Sequence, residues 1–111
     1  MCAVDHVRVL DDKTGSANDP DYFDVLDRIV GHLDKNPGLY SYVNISLGPS
    51  LAVDDDEVTL WTAALDKRFA HGRCVATVAA GNDGELDAAT GLNRIQPPAD
   101  GVNVLCVGAA D

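Results

Sequence analysis

Three short runs, Tyr42–Leu47, Cys74–Ala80 and Val102–Gly108, are apolar almost from end to end. Strands covered on both faces lose the apolar/polar alternation of one-sided sheets and read this way. A fourth run, Val4–Leu10 ("VDHVRVL"), carries enough valine and alternation to count as a strand as well. Helix-patterned segments stand between the first and second strands and between the second and third. Such β-α alternation specifies a parallel α/β sheet with right-handed crossovers.

The helices carry their own punctuation. Asp19-Pro20 combines an N-cap residue with a proline at the first helical position. Phe23, Leu26, Val30 and Leu33 then share one face of a 3.6-residue repeat, and Asn36-Pro37-Gly38 ends it. For the second helix, Asp54 and Glu57 have the spacing of a capping box. Val58, Trp61, Leu65 and Phe69 form its apolar face, and Gly72 stands where a left-handed C-terminal glycine belongs. The expected order is β-α-β-α-β-loop-β, with no helix in the Asp83–Gly101 loop and the helices mainly on one sheet face. Nothing remains to cover the other face. At 111 residues the chain has the length of one domain, and the bare face makes residues 1–111 read as a single, partial domain. The same face offers a surface for homo-oligomer formation.

A net charge of −10 argues against nucleic acid as a partner, because phosphate backbones are repelled. No apolar run of 18 residues is present to suggest a membrane span. Cys2, Cys74 and Cys106 show no metal-ligand or disulfide spacing, and the last two are expected as inert buried thiols. Free thiols and the lack of a leader-like opening tilt the expected compartment toward a bacterial cytoplasm, with secretion left open. His32 and His71 fall near helix ends, where the dipole favours them. The carboxylates of Asp54, Asp55 and Asp56 suit a helix N-terminus, so no cofactor and no metal site is assigned.

The third strand ends in "AAGNDG", residues 79–84, and the second in "SLG", residues 46–48. In open α/β sheets ligands bind beyond the carboxyl ends of the strands. If these two strands are neighbours, two small-residue loops face each other across a cleft suited to an extended peptide. Taken alone, Asn82 reads as an ordinary turn asparagine and Ser46 as a strand-end hydroxyl bonded to backbone.

In order along the chain, "YVNISLGPS", "CVATVAAGNDG" and "PPADGVNVLCVGAAD" resemble the subtilisin-like serine proteases, in which V-I-N-x-S-L-G, A-A-G-N-x-G and P-A-x-x-x-V-I-x-V-G-A follow one another. "VRVLDD" also looks like that family's preceding strand, and the likeness runs from about Val7 to Asp111. The resemblance implies a subtilisin-like sheet segment within a serine endopeptidase acting on peptide or protein substrates. It assigns Asn82 as the oxyanion-hole amide. Ser46, Leu47 and Gly48 become one wall of the specificity pocket, and Ala79, Ala80 and Gly81 the other. Asp83 would lie near the pocket floor, hinting at tolerance of a basic substrate side chain.

Neither D-[ST]-G, H-G-T-H nor G-T-S-M-A occurs, so the triad is expected outside these 111 residues and the isolated chain is expected to be inactive. Pro49, Gln96-Pro97-Pro98 and the acidic Val53–Asp56 stretch depart from the family pattern. A calcium requirement of the parent protein stays open, with no site identified in this segment. The alternative is a non-catalytic, self-associating remnant of a protease. A nucleotide-binding module is a further rival, but it lacks G-x-G-x-x-G, a P-loop, and a helix opening directly after the glycine-rich turn.

Overall fold

The computed structural model describes residues 2–10, 22–53, 56–91 and 95–109. It divides into two compact units, Met1–Lys35 and Asn36–Asp111.

In the first unit, helix α1 runs Tyr22–Lys35, with Asp24 in its first turn and His32 and Lys35 in its last, as the helix dipole favours. Val25, Leu26 and Leu33 are its buried residues. The buried stripe is therefore turned toward Val25, and Phe23, expected on it, is exposed. The Asp19-Pro20 start lies outside the described residues. Residues 2–9 form no strand, which corrects the expectation for Val4–Leu10. A β pattern becomes a strand only when its N–H and C=O groups find a partner ladder. The sheet draws all its strands from residues 42–107, and Val4 is left 86 % exposed.

The second unit holds strand β1 (Tyr42–Ile45), helix α2 (Leu60–Phe69), strand β2 (Val75–Ala79), a 3-10 turn (Gly84–Leu86), helix α3 (Asp87–Thr90) and strand β3 (Leu105–Val107). The three strands form a parallel sheet in the order β1-β2-β3. The chain is thus α/β, as its alternation predicts, with three strands in place of four. Each strand is shorter than its apolar run. The expectation of a helix-free loop after Asp83 also fails: the 3-10 turn leads into the single turn of α3, closed by Gly91 at φ +69°.

Helix α2 is capped by Thr59 rather than by Asp54 and Glu57. The Thr59 hydroxyl accepts from Thr62 N–H at 3.2 Å while its own backbone is extended. Asp54 lies outside the described residues, Glu57 precedes the helix, and Val58 is exposed. Trp61, Thr62, Leu65 and Phe69 are buried. Together with Ile45, Ala76, Val78 and Ala99 they supply the core of this unit. Gly72 is left-handed at φ +64°, as its place after the helix requires.

Burial alternates along β2: Ala76 and Val78 are buried, Val75 and Ala79 exposed. The registers pair Tyr42 with Val75, Asn44 with Thr77, Thr77 with Leu105 and Ala79 with Val107, so these residues share the open face. The apolar runs are therefore not covered on both faces; one face carries the core and the other lies open. Leu105 and Val107 are more than half exposed there, at 58 % and 53 %. A polar chain runs across this face: Tyr42 to Thr77 at 2.6 Å, Thr77 to Asn44 at 2.9 Å, and Asn44 to Ser46 at 2.9 Å.

All three thiols are free, but they are not all buried. Cys106 is exposed on the edge strand β3, contrary to expectation, and Cys74 is half-buried just before β2. Burial pushes the Cys74 thiol up from its ordinary value, with the Arg68 charge pulling weakly the other way.

The last connection is held by α2. Asp66 accepts from Val102 N–H at 3.0 Å and Asn103 N–H at 2.9 Å, and its backbone oxygen accepts from the Asn103 side chain at 3.1 Å. One turn earlier, the Thr62 hydroxyl donates to Asp100 at 2.6 Å. These bonds set the entry of β3.

Candidate functional site

Because β1 and β2 are parallel neighbours, the loops leaving them start at the same edge of the sheet. Ile45 pairs with Val78. Ser46 follows β1 directly, Ala80 follows β2, and Gly48 and Gly81 both lie against residues 96–98. The small-residue stretches Ser46–Gly48 and Ala79–Gly81 are thus brought together at the carboxyl end of the sheet, where open α/β sheets hold ligands.

Side chains then tie the loops. The Ser50 hydroxyl donates to Asp83 Oδ2 at 2.6 Å, joining the loop after β1 to the loop after β2. The same carboxylate oxygen accepts from Gln96 Nε2 at 2.5 Å. Gln96 Oε1 accepts from the Asn82 backbone N–H at 3.1 Å, and the Gln96 backbone N–H donates to the Ala80 carbonyl at 2.8 Å. Ala80 is held from the other side too, its N–H donating to the Val107 carbonyl at 2.9 Å.

Both glycines of the expected pocket walls are required where they stand. Gly81 sits at φ +103°, and a Cβ there would meet the Gln96 carboxamide. Gly48 has ordinary φ, but a Cβ would collide with the Pro97 carbonyl and approach Pro98 Cδ at 2.9 Å. Pro97, Pro98 and Ala99 are buried directly after Gln96, so the 96–99 segment lies under both loops. The Pro97–Pro98 bond is cis.

Asn82 itself is exposed. Its backbone is fixed by Gln96, while its carboxamide has no hydrogen-bond partner among the described residues. It can donate two N–H bonds to an incoming oxygen. Asp83 is half-buried and already engaged by two donors through one oxygen. Ser46 is exposed, with its hydroxyl accepting from Asn44, and Leu47 is half-buried.

Two members of this arrangement escape sequence reasoning. Gln96 appears in the sequence only as a departure from a familiar pattern, and Ser50 only as the last letter of a quoted run, with no role assigned. No local signal marks either one, because each acts on residues 13 to 33 positions away. The helical turn after the glycine-rich loop offers little to a phosphate, since Asp87 places a negative charge in its first turn. Among the described residues no group of three or more His, Cys, Asp or Glu side chains is placed to hold a metal ion. No helix among them is long and apolar enough to cross a membrane.

Comparison of the chain with protein-family models, with curated proteins and with solved structures finds no match in any of the three.

Proposed function

We propose that these 111 residues are the central segment of a subtilisin-like serine endopeptidase, supplying the oxyanion amide and two walls of the peptide cleft. One observation carries the reading. The loops after two neighbouring parallel strands lie together at the carboxyl edge of the sheet, and the carboxamide of Asn82 stands exposed on one of them. In this reading Asn82 donates to the peptide carbonyl oxygen as it becomes negative. Ser46–Gly48 and Ala79–Gly81 flank the side chain preceding the scissile bond. The general base and nucleophile lie elsewhere in the parent protein, so the segment alone hydrolyses nothing.

The test is Asn82→Ala in the whole protein in which this segment is encoded. A loss of about 10²–10³-fold in kcat with KM little changed is expected, the size found for the oxyanion asparagine of subtilisin. An unchanged kcat, or a whole protein in which fluorophosphonate labels no serine, overturns the reading.

The open face bearing Tyr42, Val75, Leu105 and Val107 favours a second reading, a non-catalytic module that self-associates. Sedimentation of the chain distinguishes it: a concentration-dependent dimer supports this reading, and a strict monomer removes it.

A further inference from the structure

We infer that Gln96 is the positioning residue of the oxyanion loop: its carboxamide, held at both ends, fixes the backbone from which the Asn82 side chain projects. The inference rests on the proposed endopeptidase reading for its catalytic consequence, but not for its structural half. Gln96 is one of only two buried polar side chains among the described residues. A buried carboxamide persists where both of its ends are satisfied. Here Oε1 takes the Asn82 N–H, Nε2 reaches the Asp83 carboxylate, and the backbone N–H of the same residue holds the Ala80 carbonyl.

Three contacts from one residue therefore land on Ala80, Asn82 and Asp83, bracketing Gly81. No rotation of the amide preserves them, because the carboxylate demands a donor and the backbone N–H demands an acceptor. The side chain also occupies the space that a Cβ on residue 81 would need. The peptide ahead of Asn82 thus packs closely against the Gln96 side chain and is flanked by its hydrogen bonds. An exposed amide on a loop earns catalytic value only when its direction is settled before the charge develops. Gln96 contributes to that by fixing the backbone that presents the amide, without touching substrate.

Two variants and two readouts test the inference. In the chain itself, Gln96→Ala is expected to speed hydrogen exchange at the Asn82 amide by about tenfold, the effect of losing one or two net hydrogen bonds. In the whole protein the same variant is expected to lower kcat about tenfold or more while KM stays within about twofold, the signature of an interaction made in the transition state. Gln96→Glu keeps the shape but sets a carboxylate against that of Asp83, the titratable group it faces. Its kcat in the whole protein is expected to fall at least as far as that of Gln96→Ala, since Asp83 loses its donor and meets a like charge. Unchanged exchange at Asn82 in both variants overturns the inference outright. Faster exchange with unchanged kcat reduces Gln96 to a structural strut and also overturns it. Loss of activity in Asn82→Ala without any effect of Gln96→Ala leaves the endopeptidase reading standing and removes this one.

Discussion

Ser50 and Asp83 are 33 residues apart in the chain, yet the Ser50 hydroxyl donates to Asp83 Oδ2 at 2.6 Å. It is a direct side-chain link between the loops that leave β1 and β2. Ser50→Ala removes it and leaves the carboxylate with its Gln96 bond alone. The expected cost is about 0.5–1.5 kcal/mol, the net worth of one such bond. Urea unfolding measures it, and an unaltered midpoint would mean that the loops are held together by other contacts.

Gly81→Ala is expected to be far more damaging. The residue must keep φ +103° while its new methyl meets the Gln96 carboxamide. Positive φ costs a non-glycine residue roughly 1–2 kcal/mol, and overpacking adds about 1–3 kcal/mol. A loss of at least about 2 kcal/mol in denaturant unfolding is the outcome that agrees with the geometry. A mild effect would show that residue 96 can swing aside.

Asp66 reaches from the middle of α2 to the turn before β3 and accepts two backbone N–H groups there. Hydrogen bonds to a charged acceptor contribute about 1.5–3 kcal/mol each when buried. This carboxylate is only half-buried, so about 1–2 kcal/mol in total is expected for Asp66→Ala. Hydrogen exchange at Leu105–Val107 should accelerate in step, since the strand loses its entry point. Unchanged protection there would count against a role for Asp66 in placing β3.

Leu65 is fully buried on α2, at 0 % exposure. Leu65→Ala is expected to cost about 2–5 kcal/mol, set by how far the core can close over the cavity. A loss below about 1 kcal/mol in calorimetric or denaturant unfolding would show that this site collapses freely or is less well packed than its burial implies.

Cys74 gives the stability a pH dependence of known sign. Burial raises its folded pKa from 9.0, so the folded chain holds the thiol proton more tightly than the unfolded chain does. The resulting stabilisation is fully present below pH 9.0, the value for a free thiol, and is lost as the pH climbs through the raised value. Cys74→Ser is expected to flatten this alkaline decline. Comparing urea midpoints of the two chains at about pH 8 and about pH 10.5 cancels the lysines and tyrosines common to both. Parallel declines would refute the assignment.

The α/β class, the two long helices and the parallel sense of the sheet were legible because they rest on short-range chemistry. Apolar runs of strand length, an i, i+3, i+7 stripe and Pro37-Gly38 after a helix announce themselves within a few residues. Val4–Leu10 has the pattern of a strand but no ladder to complete it. Asp54 and Glu57 have the spacing of a cap, yet Thr59 makes the bond. Cys106 has an apolar neighbourhood in sequence but sits on the edge strand β3, where even the position paired with buried Val78 stays exposed. For Val4–Leu10 and Cys106 the sheet decided; the cap of α2 was decided within three residues, by the bond of Thr62 N–H to Thr59.

The same division runs through the candidate site. Gly81, Asn82 and the Ser46–Gly48 stretch could be named from the chain alone, because glycine before asparagine at a strand end is a local statement about backbone freedom. What holds them could not. Gln96 and Ser50 act across 13 to 33 residues, and only folding brings their polar atoms within 3.1 Å of the loop. Periodicity reports which face a residue turns to its neighbours in sequence; hydrogen bonds between loops depend on where the sheet register carries them, and that is a property of the assembled fold.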